Sequence, residues 1–309
     1  MPAGRSLPDS QFFKLVATGE GIWAATATDF IAAVGNAGIV DLGGRWLVVD
    51  TFISARAAAD LRAAVRTLAG DEPLWVVNTH AHVDHVSGNE VFSDAAAIAA
   101  TAATRDGLLE MAARLPDRIV AAEAAAASAP VGDDPESERR RRELNTRLQV
   151  MRQLHVVAPD ATITDRLTLY GDRRRADLIA LGTAHTTGDL AIHLPDDGTL
   201  LAGDVVVKRT MPALQDGNAI QWLVVLERLR LLGATTLLPG HGPVGDATTL
   251  DEMEDCLRAL VAAAADLATE PGEPRSSIPE RFEAWGGAAR WSEAVSLVAA
   301  RLQPGEAAR

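Results

Sequence analysis

Residues 78–92, NTHAHVDHVSGNEVF, crowd His80, His82, Asp84 and His85 into six positions of a chain that holds seven histidines in all. Alternate histidines cannot share one face of a helix, but residues i and i+2 of an extended segment point the same way. His80 and His82 are therefore expected to project together from the end of the apolar run PLWVVNT (73–79), with Asp84 and His85 on the turn that follows. Imidazoles and a carboxylate converging at a strand end suit a metal ion better than any other ligand.

The patterns around this stretch supply a frame. Short β-rich runs GIWAATA (21–27), AGIVDLGG (37–44) and RWLVVDTF (45–52) precede a helix over 54–70, with Ser54 as its N-cap and Gly70 as its stop. A strand AIAA (97–100) follows. Residues about 103–158 are helical in composition and read as an insertion that roofs a cleft; the basic run Arg139 to Arg142, flanked by Glu138 and Glu143, reads as a solvated helix face. Strands return at 163–171, 176–182, 190–195 and 199–207, then a helix over 219–233 and a strand over 235–240. The expected architecture is α/β, a four-layer αββα sandwich over residues 1–250, with residues 251–309 as a helical C-terminal extension packed on the same domain.

Composition narrows the partners. A formal net charge of -13 gives no reason to hold a phosphate backbone, so nucleic acid is a poor partner, whereas a small molecule remains a good one. The single cysteine, Cys256, allows neither an internal disulfide nor a thiolate metal site. No apolar run approaches the ~20 residues that span a bilayer, so no membrane is expected. The opening MPAGRSLPDSQFF lacks a secretory apolar stretch, and the expected location is the cytoplasm. Oligomeric state is left open.

Five further polar residues stand just past apolar strands: Asp50, His185, Asp189, Asp204 and His241. Strand ends are where such architectures place their chemistry. Counted as ligands, His80, His82 and His185 make one site with an open position; Asp84, His85 and His241 make a second; Asp204 is a carboxylate able to bridge them. Histidine and aspartate suit Zn2+ best, with iron and manganese compatible. His155, at a helix end, and His193, mid-strand, read as surface or core histidines outside this set.

THAHVDH together with GTAHTTGD, LAGD and PGHG resembles the metallo-β-lactamase-fold superfamily of metallohydrolases, over about residues 20–250. The resemblance implies a dinuclear site at one edge between two sheets, and Asp50 and Asp189 as outer supports of the ligands. Aspartate at position 204 resembles the glyoxalase II and lactonase branch rather than true β-lactamases. The acidic C-terminal helix LDEMEDCLRALVAAAADLATE argues against glutathione thioesters, and the single Tyr170 has no evident place at the metals. Residues 34–50, VGNAGIVDLGGRWLVVD, carry a likeness to bacterial hydrolases of varied substrate. Lys208 and Arg209 are candidates to neutralise a substrate carboxylate. Trp222 and the helix after Gly107 read first as core, with an apolar pocket wall as the second reading.

The resulting expectation is a metal-dependent hydrolase of an ester-like bond (thioester, lactone or ester), in which a hydroxide between the two ions attacks the carbonyl and Asp84 orients it and takes its proton. The alternatives are phosphodiester or sulfate-ester cleavage, β-lactam hydrolysis as a side activity, iron-based redox chemistry, and a metal-stabilised binding protein.

Overall fold

The computed structural model describes residues 7–29, 31–128, 134–269 and 277–302. In chain order the elements are β1 (Phe13–Gly19), β2 (Ile22–Ala27), β3 (Ala37–Asp41), β4 (Trp46–Val49), α1 (Ala55–Ala69), β5 (Leu74–Val77), α2 (Val83–Val86), α3 (Asn89–Phe92) and β6 (Ala96–Thr101). Then come α4 (Ala102–Ala127), α5 (Pro135–Gln153), β7 (Ala161–Ile163), β8 (Arg166–Tyr170), β9 (Arg175–Gly182), β10 (Asp189–Leu194) and β11 (Thr199–Val207). The chain closes with α6 (Ala219–Arg230), β12 (Thr236–His241), α7 (Thr248–Thr269), α8 (Glu280–Glu283) and α9 (Gly287–Leu302).

Two sheets face each other. One has seven strands in the order β1 to β7, antiparallel as far as β4 and parallel from β4 to β7. The other has five in the order β12-β11-β10-β9-β8, with only the β11–β12 pair parallel. Alternation along each strand divides the core. Leu47 and Val49 of β4 meet Leu190 and Ile192 of β10 between the sheets, while Trp46 and Val48 face outward onto Leu61 and Val65 of α1. On the far side, Ala202 and Val206 of β11 pack against Trp222 of α6, Leu257 of α7 and Val295 of α9. The result is the expected helix–sheet–sheet–helix layering, and α9 belongs to the outer helical layer.

Local signals explain most boundaries. The Ser54 hydroxyl accepts from the Ala57 amide at the start of α1, and Gly70 ends that helix at φ 62°. In α5, Arg142 pairs with Glu138 one turn away, as a solvated face requires, and Asp134 caps the helix with Pro135 next. The segment PESE, read as part of a polar connector, is thus the first turn of α5; residues 129–133 of that connector, and 270–276 of the C-terminal break, lie outside the described residues.

Two expectations need correction. Residues 163–171 are not one strand: Ile163 ends β7 in the first sheet, and after Thr164 and Asp165 the chain enters β8 of the second. Ile163, Leu167 and Leu169 keep an even spacing across both pieces, so period alone does not show that the chain changes sheets there. The other omission is β1, an edge strand buried at Phe13 and largely exposed beyond it, too weakly patterned to stand out. Among the described residues no helix is long and apolar enough to cross a membrane.

Cys256 lies fully buried on the inner face of α7, and burial pushes its thiol up to about 12. A disulfide reagent at pH 8 should leave the folded protein unmodified and label one thiol per chain in denaturant, since only the thiolate reacts. Stoichiometric labelling of the native protein would contradict this packing.

Candidate metal centre

Three connections and two strands deliver polar side chains to one end of the sandwich. Asp50 follows β4, residues 78–82 link β5 to α2, residues 183–188 link β9 to β10, Asp204 lies within β11 and His241 ends β12. His80 and His82 are not on a strand, because β5 stops at Val77; Asp84 and His85 sit in the single turn of α2. The two rings still meet, with centroids 4.8 Å apart, through the curl of the link rather than through strand alternation.

The ligand atoms of His80, His82, His185 and Asp204 all lie within 4.8 Å of one another, and so do those of Asp84, His85 and His241. Asp204 faces both groups. Its Oδ2 is 3.4 Å from His185 Nε2 and 3.1 Å from His241 Nε2, and its Oδ1 is 3.2 Å from His85 Nε2. Room for this carboxylate comes from Gly240, where a Cβ would come within 1.9 Å of Asp204 Oδ1; Gly203, at φ 51°, leaves space for Thr79 instead.

The partners of the outer ring nitrogens assign the protons. Thr79 donates its hydroxyl to Asp50 Oδ2 at 2.7 Å, so it accepts from His80 Nδ1 at 3.0 Å. His85 Nδ1 donates to Asp50 Oδ2 at 2.8 Å, and His185 Nδ1 to the Ala213 carbonyl at 3.0 Å. His82 Nε2 donates to Asp216 Oδ2 at 2.9 Å. Each ring therefore turns a lone pair inward. His82 Nδ1 and His185 Nε2 face each other at 2.9 Å, and His80 Nε2, His85 Nε2 and Asp204 Oδ1 are buried without a hydrogen-bond partner. Lone pairs meeting lone pairs in a buried space repel unless a cation lies among them. The donor set of imidazoles and carboxylates fits divalent ions.

Without an ion, protons take its place. Burial works to lower the His241 pKa, but Asp204 and Asp84 override it and raise it to about 10. His85 behaves alike: burial opposes, while Asp204, Asp84 and Asp50 hold it well above the usual imidazole range. Burial opposes ionisation of Asp84 too, yet His85 and His241 draw it down to about 2. His185, more burial-dominated, falls to about 4.

The frame holds these groups rigidly. Asp50 occupies the left-handed region at φ 60°, a conformation that aspartate tolerates better than most residues, and accepts from the Thr79 amide besides its two side-chain donors. Asp189 touches no imidazole: its carboxylate accepts from the amides of Ala184 and Thr186 and from the Thr186 hydroxyl, fixing the backbone on both sides of His185, and burial raises it to about 7. Asn36, within the VGNAGIVDLGG stretch, donates to the carbonyls of Pro239 and Gly242 and so brackets His241.

A cavity of about 440 Å³ opens over His82, Asp84, Asp204 and His241. Its far wall is Trp285, Arg290, Glu293 and Leu297, all from the C-terminal helical region. This corrects the expectation for the insertion: no described residue of α4 or α5 lines the cavity. Instead, Thr101 and Thr104 at the start of α4 donate to the Gly188 carbonyl and brace the His185 link. Lys208 and Arg209 are also absent from the lining, with Lys208 Nζ beside Gly245 and Arg209 exposed at φ 57°; the cation in the wall is Arg290. Trp222 is fully buried behind His185, ring centroids 5.4 Å apart, and donates to the Val205 carbonyl. Tyr170 is 67% exposed on β8. His155 pairs with Glu90, and His193 sits in β10; neither joins the two ligand groups. Asp216 and the Ala213 carbonyl escape sequence reasoning, since they stand in an irregular stretch with no period to mark them.

An αββα sandwich with a cluster of histidines and aspartates at one edge defines a metal-dependent hydrolase. The chain belongs to the metallo-beta-lactamase superfamily, whose family model matches residues 32–241. Its fold is similar to that of a metallo-beta-lactamase from Pontibacter korlensis, at 17% identity and TM-score 0.57, over 80% of this chain and 99% of that one. DIM-1 metallo-beta-lactamase, from a crystal exposed to ceftazidime, aligns at 19% identity and TM-score 0.59, over 82% and 99%. TMB-1 aligns at 15% identity and TM-score 0.59, over 80% and 97%. None of the curated proteins compared matches the chain.

The raised pKa of His241 has a consequence for the metal-free protein. Its pairing with Asp204 and Asp84 stabilises the fold in full below about pH 6.5 and is lost as pH rises through about 10. The shift of His85 has the same sign. The urea midpoint of metal-stripped protein should therefore fall between pH 7 and pH 10, whereas metal-loaded protein, with lone pairs already engaged, should change less. Equal slopes would show that protons do not substitute for cations here.

Proposed function

We propose that the chain hydrolyses an ester-like bond, whether thioester, lactone or ester, in a small cytoplasmic molecule, using two divalent ions of which Zn2+ is the first choice. The observation that carries this reading is the position of Asp204, whose carboxylate stands within 3.4 Å of a histidine nitrogen of one ligand group and within 3.2 Å of two from the other. His80, His82 and His185 would hold one ion, Asp84, His85 and His241 the other, and Asp204 both. When bound, such ions polarise a carbonyl oxygen and make water nucleophilic near neutral pH.

The chain's own residues supply the rest. Asp84 is ionised at neutral pH and borders the cavity, so it can orient a water and accept its proton. Met211, Trp285 and Leu297 offer an apolar surface for an acyl group, and Arg290 offers a positive charge at the same wall. A chain of net charge -13 suits a small neutral or singly charged substrate better than a polynucleotide.

Elemental analysis of protein purified without added metal should give about two ions per chain. His82→Ala and Asp84→Ala should each lower that content, and Asp84→Ala should slow ester-like hydrolysis by about 10²- to 10⁴-fold. The activity should appear in a panel of chromogenic esters, thioesters and lactones set beside a β-lactam and a phosphodiester. Unchanged metal content in both variants would refute the ligand assignment, and turnover confined to the phosphodiester would refute the substrate class.

A further inference from the structure

We infer that the C-terminal helix α9 sets the metal affinity of one ligand group, that of His80, His82 and His185, by clamping the loop that orients two of its imidazoles. The inference rests on the metal reading proposed above and adds a positioning role for Asp216 and Arg301.

Both outer partners come from one short irregular stretch between β11 and α6. Ala213 accepts through its carbonyl from His185 Nδ1 at 3.0 Å, and Asp216 accepts from His82 Nε2 at 2.9 Å. These two bonds determine which nitrogen each ring turns inward. The stretch has no ladder of its own to hold it. It is tied to the C-terminal region instead: the Met211 amide donates to the Trp285 carbonyl at 2.8 Å, and the Arg301 guanidinium donates to the carbonyls of Leu214 and Gln215. Met211 and Leu214 also bury their side chains in the core shared with Trp291 and Val298 of α9. The guanidinium fork suits this task, because it reaches two adjacent carbonyls at once.

The other ligand group owes nothing to α9. His85 is oriented by Asp50, and the chain around His241 is bracketed by Asn36. His80 also leans on Asp50, through Thr79. The clamp therefore acts on His82 and His185 alone, and α9 lies beyond residues 32–241 that match the superfamily. Losing an outer partner of a metal-binding histidine weakens binding by about 10- to 100-fold.

The test is a competition titration of Zn2+ against a chromophoric chelator, paired with the visible spectrum of the Co2+-loaded protein. The proteins are wild type, Arg301→Ala, Arg301→Lys, Asp216→Ala and Ser296→Ala, each checked for folding by circular dichroism. Arg301→Ala and Asp216→Ala should weaken one ion by about 10- to 100-fold, leave the other within about twofold, and change the Co2+ bands. Arg301→Lys should recover part of the loss, and Ser296→Ala, at an exposed position of the same helix whose hydroxyl bonds only to the Ser292 carbonyl, should match wild type. Asp216 has a side chain 64% exposed, so its truncation reads the clamp even if Arg301→Ala fails to fold. Two ions in wild type with unchanged affinities in folded Asp216→Ala would overturn the inference and leave the metal reading intact. Equal weakening of both ions would also overturn it. No metal uptake by wild type would bring down both.

Discussion

The site depends on the commitment of the outer nitrogens. Four imidazoles spend their single ring proton on an acceptor that cannot give one back: Asp50, the Thr79 hydroxyl already engaged by Asp50, the Ala213 carbonyl and Asp216. What remains is an inner shell of lone pairs around one more carboxylate, Asp204, which is buried among them. A folded chain can tolerate that only if cations or protons occupy the space between. The chemistry is thus written into the hydrogen bonds on the far side of each ring, and the frame exists to keep them there.

That frame is a consequence of pairing two sheets whose strands end at the same edge. Asp50 leaves β4, the histidine-rich link leaves β5 and His241 ends β12, so segments distant in sequence share one rim. Glycine at 240 removes the side chain that would otherwise fill the place of the Asp204 carboxylate, and glycine at 203 leaves space for Thr79. Asp189 and the Thr101–Thr104 pair then steady the His185 link from behind.

Much of this is legible in the sequence, for a physical reason. Histidines and aspartates directly after apolar runs are costly anywhere but at a strand end, so their positions announce the rim, and the helix over 55–69 is announced by its own cap and stop. The parts that stay hidden are those that carry no local signature. Ile163 and Arg166 lie three residues apart yet in different sheets, a change that alternation does not record. Asp216 sits among MPALQDGN, where nothing distinguishes it from any loop aspartate until Nε2 of His82 is seen beside it. The amphipathic pattern of residues 287–302 shows that a helix buries one face, not that Arg301 reaches the loop or that Arg290 and Leu297 wall the cavity.

The reach of Arg301 to Leu214 and Gln215 also bears on how the chain assembles. The groups that orient His82 and His85 are anchored about 250 positions apart in sequence, at Asp50 and Arg301. Contacts of such separation form after local ones, because the entropy of closing so long a loop must be met first. The two sheets can pair before α9 docks, so the rim becomes complete only when Arg301 closes on the loop.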